Sequence, residues 1–197
     1  MVSDGEFADD APEVAPGSLL IASTALSAPA FARTVVYIIE HDEQGTLGVV
    51  LNRMSDAAVY NILPRWADLA ASPRAVFVGG PVGTSSALCL GVAKSGVVVA
   101  DQPKLHQVLG PVAMVDLDAD PDQMAEVLAG VRIFAGYAGW EPGQLDEELA
   151  DNSWIVAPGL PTDLLSEPSV DVWQQVLSRQ PWPLPLLSTY PLRPDDN

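Results

Sequence analysis

Apolar and polar positions follow two rhythms along this chain, and the clearest pattern lies at residues 33–53, RTVVYIIEHDEQGTLGVVLNR. Residues 34–39 are an unbroken run of β-branched and aromatic side chains, and residues 47–51, LGVVL, are a second continuous run without a polar side chain. Runs of that length and composition predict strands buried on both faces. Between them His41, Asp42, Glu43, Gln44 and Gly45 make a short polar connection whose glycine takes positive φ at no steric cost, which predicts a β-hairpin. Pairing in register places Glu40 and His41 at the turn end, with Arg33, Asn52 and Arg53 at the other.

Residues 18–23, SLLIAS, predict an earlier strand. After the hairpin, Ser55 is an N-cap candidate for apolar residues at helical spacing: Val59, Ile62, Leu63, Trp66 and Leu69. Pro64 divides that segment into two short helices or delays a single one. Further strands are predicted at 75–78, 87–93, 97–100, 112–117 and 131–137, with 102–110, carrying Lys104 and His106, as a connection. The glycines and Pro81 of 79–83 predict a tight turn and not a phosphate cradle, because a strand follows where a nucleotide loop needs a helix. Asp120 and Pro121 mark a helix start, with the helix running to about residue 129.

In residues 136–154 the glycines and Pro142 predict a turn, and 143–150 a helix. Leu145 and Leu149 lie on its inner face, and Asp146, Glu147 and Glu148 lie mostly outward. A last strand is predicted at 154–156, a helical turn from Thr162, and another from Ser169 that buries Val172, Trp173, Val176 and Leu177. Residues 1–17, acidic and proline-containing, predict a disordered arm, and the proline-rich residues 181–197 an extended tail, around one domain at 18–180.

Composition narrows the functional classes. The chain has 197 residues, 48% of them hydrophobic, enough for one domain with a sizeable core. Its formal net charge is −17. Residues 18–180 alone keep most of that excess of acids, so the field repels phosphate backbones and direct nucleic-acid binding is not expected. A single cysteine, Cys89, excludes an intramolecular disulfide and a two-cysteine metal knuckle. Asp4, Glu6, Asp9 and Asp10 stand where a signal peptide carries bases, and no apolar run approaches the roughly 18 residues a bilayer span needs. A cytoplasmic protein with no membrane span is expected.

The candidate chemistry comes from two places. Glu40, His41, Asn52 and Arg53 of the hairpin, with Tyr137, Trp140, Glu141 and Gln144 of the later stretch, supply acid, base and donor types around one possible cleft for a ligand or a partner. Adjacent strand residues point to opposite faces, so Glu40 and His41 make no simple dyad. His106 is far from His41 in sequence, and no metal or cofactor is expected. A nucleophile elbow of the G-x-S-x-G type is missing. In the alternative reading, Glu40, Asn52 and Gln144 satisfy backbone groups and fasten the hairpin to the 143–150 helix.

Three stretches together carry a family resemblance: VVYIIEHDEQGTLGVVLNR, VGGPV at 78–82, and GYAGWEPGQLDEELADNSWIVAP at 136–158. In this order they resemble the YqgE/AlgH family of bacterial proteins, also called UPF0301 or DUF179, over about residues 18–180. Met54 departs from the family pattern, which places a small residue and then a proline after the Asn-Arg pair. The resemblance implies an α+β fold, a sheet-rich and partly barrel-like core surrounded by helices. It implies no established enzymatic activity, and gives only a weak hint of transcriptional control in one branch. The function expected is a non-enzymatic binding or regulatory module acting through an unknown protein partner. A small-ligand binder or enzyme using the cleft between residues 40–53 and 136–144 is the alternative, and a transcriptional regulator the third. The oligomeric state is left open.

Overall fold

Ten strands and five short α-helices follow one another in the computed structural model, which describes residues 13–26, 28–167 and 170–189. The strands are β1 (Ser18–Ala22), β2 (Val35–Asp42), β3 (Gly45–Val50), β4 (Met54–Ala58), β5 (Ala75–Val78), β6 (Val82–Ala93), β7 (Leu105–Leu109), β8 (Val112–Val115), β9 (Leu128–Trp140) and β10 (Trp154–Pro158). The helices are α1 (Val59–Ile62), α2 (Pro121–Val127), α3 (Gln144–Ala150), α4 (Pro161–Leu164) and α5 (Val172–Ser178). The strands form one curled sheet, a half-barrel, in the order β10-β1-β2-β3-β9-β6-β8-β7, with β5 joining β9 and β4 joining β5. The α+β expectation with a partly barrel-like core is therefore met.

Why the hairpin strands need an unbroken apolar run is visible in their packing. Val35, Tyr37 and Ile39 of β2 enter one hydrophobic cluster with Leu19, Val49, Phe134 and Trp173. Val36 and Ile38 enter another on the opposite face with Leu20, Val50, Trp140 and Trp154. Both faces of the sheet are covered here, so alternation would have left polar groups in one core or the other. Each fully buried Leu or Ile in these layers contributes roughly 1.5–3 kcal/mol. A third cluster, with Val59, Trp66, Cys89, Val131 and Met124, fills the far half of the sheet. The 13-residue strand β9 reaches all three clusters and pairs with β3, β5 and β6, so it ties the hairpin to the rest.

Several local expectations are corrected. Ser55 lies in β4, where its hydroxyl donates to the Val76 carbonyl at 2.6 Å and accepts from the Ala57 amide, so it caps no helix. The following segment resolves into the two-helix alternative, α1 and a 3-10 turn at Pro64–Trp66. Residues 97–100 are not a strand; Val99–Asp101 closes a 3-10 turn, while β7 occupies part of the expected connection and pairs with β8. Gly136 and Gly139 sit inside β9, and only residues 141–143 turn.

Helix α5 starts at Asp171, whose carboxylate accepts from the Gln174 amide at 3.0 Å, whereas Ser169 lies outside the described residues. In the tail, Leu184–Thr189 is a 3-10 helix and not an extended chain. Of the expected arm, residues 1–12 fall outside the described residues, and Val14 packs into the cluster around Trp140 and Trp154. Among the described residues no helix is long and apolar enough to cross a membrane.

Candidate functional site

The hairpin has two chemically distinct ends, and the candidate residues divide between them. At the turn end, β3 lies against the end of β9, with Thr46 opposite Trp140 and Leu47 opposite Gly139. Gly45 permits that approach: its φ is +132° and a Cβ there would run into the Trp140 carbonyl. The turn and the end of β9 enclose an open cleft of about 320 Å³ lined by Glu40, Asp42, Tyr137, Trp140, Glu141 and Pro142 among others. Four of the eight candidates, Glu40, Tyr137, Trp140 and Glu141, are thus brought together.

His41 is not among them. It faces a separate cavity of about 770 Å³, lined with Asp146, Leu149 and Trp154, and its Nδ1 shares a 2.7 Å hydrogen bond with the Thr46 hydroxyl. Alternation along β2 separates it from Glu40 as expected, even across the register shift between Ile38 and Glu40.

Asn52 and Arg53 sit at the far end of the hairpin. Asn52 Oδ1 accepts from the Val35 amide at 3.0 Å and its Nδ2 donates to the Arg33 carbonyl at 2.8 Å, which stitches the open strand end together. Arg53 Nη2 donates to the Ala32 carbonyl at 2.7 Å. Gln144 serves the opposite end: its Oε1 accepts from the Glu141 amide at 3.1 Å, which fixes the turn before α3. For Asn52 and Gln144 the backbone-satisfying role is the one observed, while Glu40 stands exposed on the cleft.

Two important side chains escaped the sequence reading. Glu148, expected outward, accepts from Trp140 Nε1 at 2.9 Å, from Trp154 Nε1 at 2.7 Å and from Gln144 Nε2 at 3.0 Å. With Phe31 the two tryptophans form an aromatic cluster, the ring centroids of Trp140 and Trp154 lying 5.9 Å apart. Glu148 follows Leu145 by three residues, which puts it on the flank of the inner face; that spacing was the available signal. The second is Arg132, buried in β9 at 3% exposure, and its signal was a lone charge in an apolar run. Cys89 is buried as well, and desolvation pushes its thiol far above the ordinary range, so it is no nucleophile. Among the described residues no group of three or more His, Cys, Asp or Glu side chains is gathered to hold a metal ion.

The family model described as AlgH-like matches residues 19–185. The chain belongs to this family. It is 52% identical over 186 residues to a UPF0301 protein of Rhodococcus erythropolis, covering 94% of this chain and 92% of the relative. It is 54% identical over 186 residues to one of Mycolicibacterium smegmatis, with the same coverage. Among solved structures it is similar to a crystal structure of a Corynebacterium diphtheriae protein, with TM-score 0.88, 44% identity, and coverage of 90% of this chain and 93% of that one. It is also similar to the solution structure of AlgH from Pseudomonas aeruginosa, with TM-score 0.64, 31% identity, and coverage of 90% and 95%. These relatives place the AlgH-like chain among bacterial UPF0301 proteins and assign it no reaction.

Proposed function

We propose that this AlgH-like protein is a cytoplasmic, non-catalytic binding module that recruits a protein partner, and that the cleft at the hairpin turn receives a basic segment of it. The observation that carries this reading is the lining of the cleft, where the carboxylates of Glu40, Asp42 and Glu141 stand beside Tyr137 and Trp140. A lysine or arginine entering there gains charge-assisted hydrogen bonds and the face of an aromatic ring.

The net charge of −17 adds long-range attraction for a basic partner and opposes nucleic acid. The placement of the polar groups also favours binding over catalysis. The imidazole of His41 faces away from the cleft, and the Trp140 indole N–H and Gln144 amide are engaged in holding α3. A single buried cysteine suits a reducing compartment.

Affinity capture from bacterial extract with the full chain as bait tests the reading, run beside an E40Q/D42N/E141Q variant. The expected result is a partner held at low ionic strength, released by salt, and lost with the triple variant. A partner that ignores both changes, or none that salt releases, contradicts it.

A further inference from the structure

At the far end of the hairpin lies a smaller cavity of about 120 Å³, separate from the proposed partner cleft. Leu51, Phe77 and Val172 give it apolar walls, and Asn52, Ser166, Glu167 and Arg132 are its polar members. Arg132 is the unusual one. A buried cation normally has a carboxylate partner, because desolvation costs several kcal/mol per ion otherwise. Here Nη2 donates to the Ser72 carbonyl at 3.1 Å and the Ser166 carbonyl at 3.0 Å, and the guanidinium lies 4.2 Å over the Phe77 ring. Nε is buried without a hydrogen-bond partner, and none of the five ion pairs among the described residues includes Arg132.

Carbonyl dipoles and a ring face spread this charge without neutralising it. Burial lowers the Arg132 pKa to about 10, which leaves the group protonated at neutral pH. The cavity adjoins a wider cleft of about 300 Å³ that shares Asn52, Val170 and Val172 with it and adds Arg33 and Arg53. Arg33 pairs with Asp171 at 3.3 Å and lies over Trp173, and Arg53 holds the Ala32 carbonyl. Three of the nine basic residues of an otherwise acidic chain therefore gather at this end, against Asp171 and Glu167.

We propose that this cavity binds a small organic monocarboxylate, its carboxylate directed to Arg132 and its short apolar body against Leu51, Phe77 and Val172. A guanidinium matches a carboxylate in shape and charge, which makes the pair among the strongest hydrogen-bonded contacts in proteins. The apolar walls select against inorganic phosphate, whose oxygens would lack donors on that side. The site lies at the opposite end of the hairpin from the partner cleft and stands or falls independently of it.

Titration of the full, nitrogen-15-labelled chain with sodium propionate, at ionic strength matched with sodium chloride, tests the assignment. The expected result is a saturable shift of the Arg132 Nε–H and Asn52 side-chain resonances, with a rise in melting temperature by mass action. R132M abolishes the saturable response. V170F, at the partly exposed mouth, keeps the arginine and weakens binding about tenfold or more. If R132M does not fold, V170F decides. No saturable shift with propionate overturns the proposal, as does binding that V170F leaves unchanged. A response to inorganic phosphate without one to propionate overturns the carboxylate assignment.

Discussion

Removing the carboxylate of Glu148 should destabilise the fold more than any other single change on the surface of α3. In Glu148→Ala the indole N–H groups of Trp140 and Trp154, both on buried rings, lose their acceptor. An orphaned buried donor costs about 1–3 kcal/mol, so two of them come to about 3 kcal/mol after partial relaxation. Gln144 is exposed and turns to water, adding little. For a domain of this size each kcal/mol lowers the melting temperature by about 2–4 °C, so a fall of about 6–12 °C is expected.

Both indoles donate to the same oxygen, Oε2, so Glu148→Gln keeps an acceptor for each and should cost clearly less, losing only the charge that strengthens the two bonds. Urea unfolding followed by tryptophan fluorescence measures the loss directly, since the two indoles are also reporters. A double-mutant cycle with Trp154→Phe isolates the bond, because the ring without its N–H no longer needs the carboxylate; a coupling of about 1–2 kcal/mol is expected. A Glu148→Ala variant within about 0.5 kcal/mol of the parent, the range of an ordinary surface change, would refute the reasoning.

Asp163 is fully buried and held by both Nη atoms of Arg179 at 2.6 Å, so Arg179→Leu should cost about 3–5 kcal/mol in urea unfolding, and less in the D163L/R179L double variant. Equal losses in the two would contradict that account. Gly136 has φ +69° and a Cβ there would lie 2.7 Å from the Gly80 and Val82 carbonyls, whereas Gly143 has φ +80° and open space around it. G143A should therefore lose only the roughly 1–2 kcal/mol of left-handed backbone strain and G136A clearly more, which chemical denaturation would show. Burial, reinforced by the charge of Asp163, pushes the Tyr37 phenol to about 12. The unfolded phenol ionises near its ordinary value and the folded one does not. Stability is thus unaffected below that value and falls as pH rises from about 10 toward 12. Tyr37→Phe should flatten the decline in stability measured across that window.

How far the fold could be read from the residues depended on how many faces of each element are buried. β2 was legible because Val35, Val36, Tyr37, Ile38 and Ile39 are all buried, so the run has no polar interruption. β7 was missed because it is an edge strand: His106 and Gln107 are exposed, and the apolar run is broken where only one side pairs. Residues 97–100 misled in the other direction, since Val98 is exposed and the Gln102 amide closes a turn onto the Val99 carbonyl. The glycines of β9 read as a turn because glycine's usual role is conformational. Gly136 does have a positive φ, yet it stands within a strand whose neighbours approach too closely for a Cβ.

For the candidate site, the separation of Glu40 from His41 followed from alternation alone. The meeting of the hairpin turn with residues 137–141 was open in the sequence as one possible cleft, and it is the pairing of β3 with β9 that creates it. The roles of Glu148 and Arg132 were not legible. Arg132 depends on groups distant in sequence, the Ser72 and Ser166 carbonyls, and Glu148 on two tryptophans that are near in sequence but lie on separate strands, β9 and β10, whose rings meet only in the folded sheet.

The central claim, that the acidic cleft at the hairpin turn is where a basic partner segment docks, is tested most directly by site-resolved amide shifts of the full chain during titration with a lysine- and arginine-rich peptide. The account expects the largest shifts at Gly45, Thr46, Leu47, Gly139 and Glu141, fading as salt is raised and in the E40Q/D42N/E141Q variant. Shifts spread evenly over the acidic surface, or concentrated away from the cleft, would contradict it.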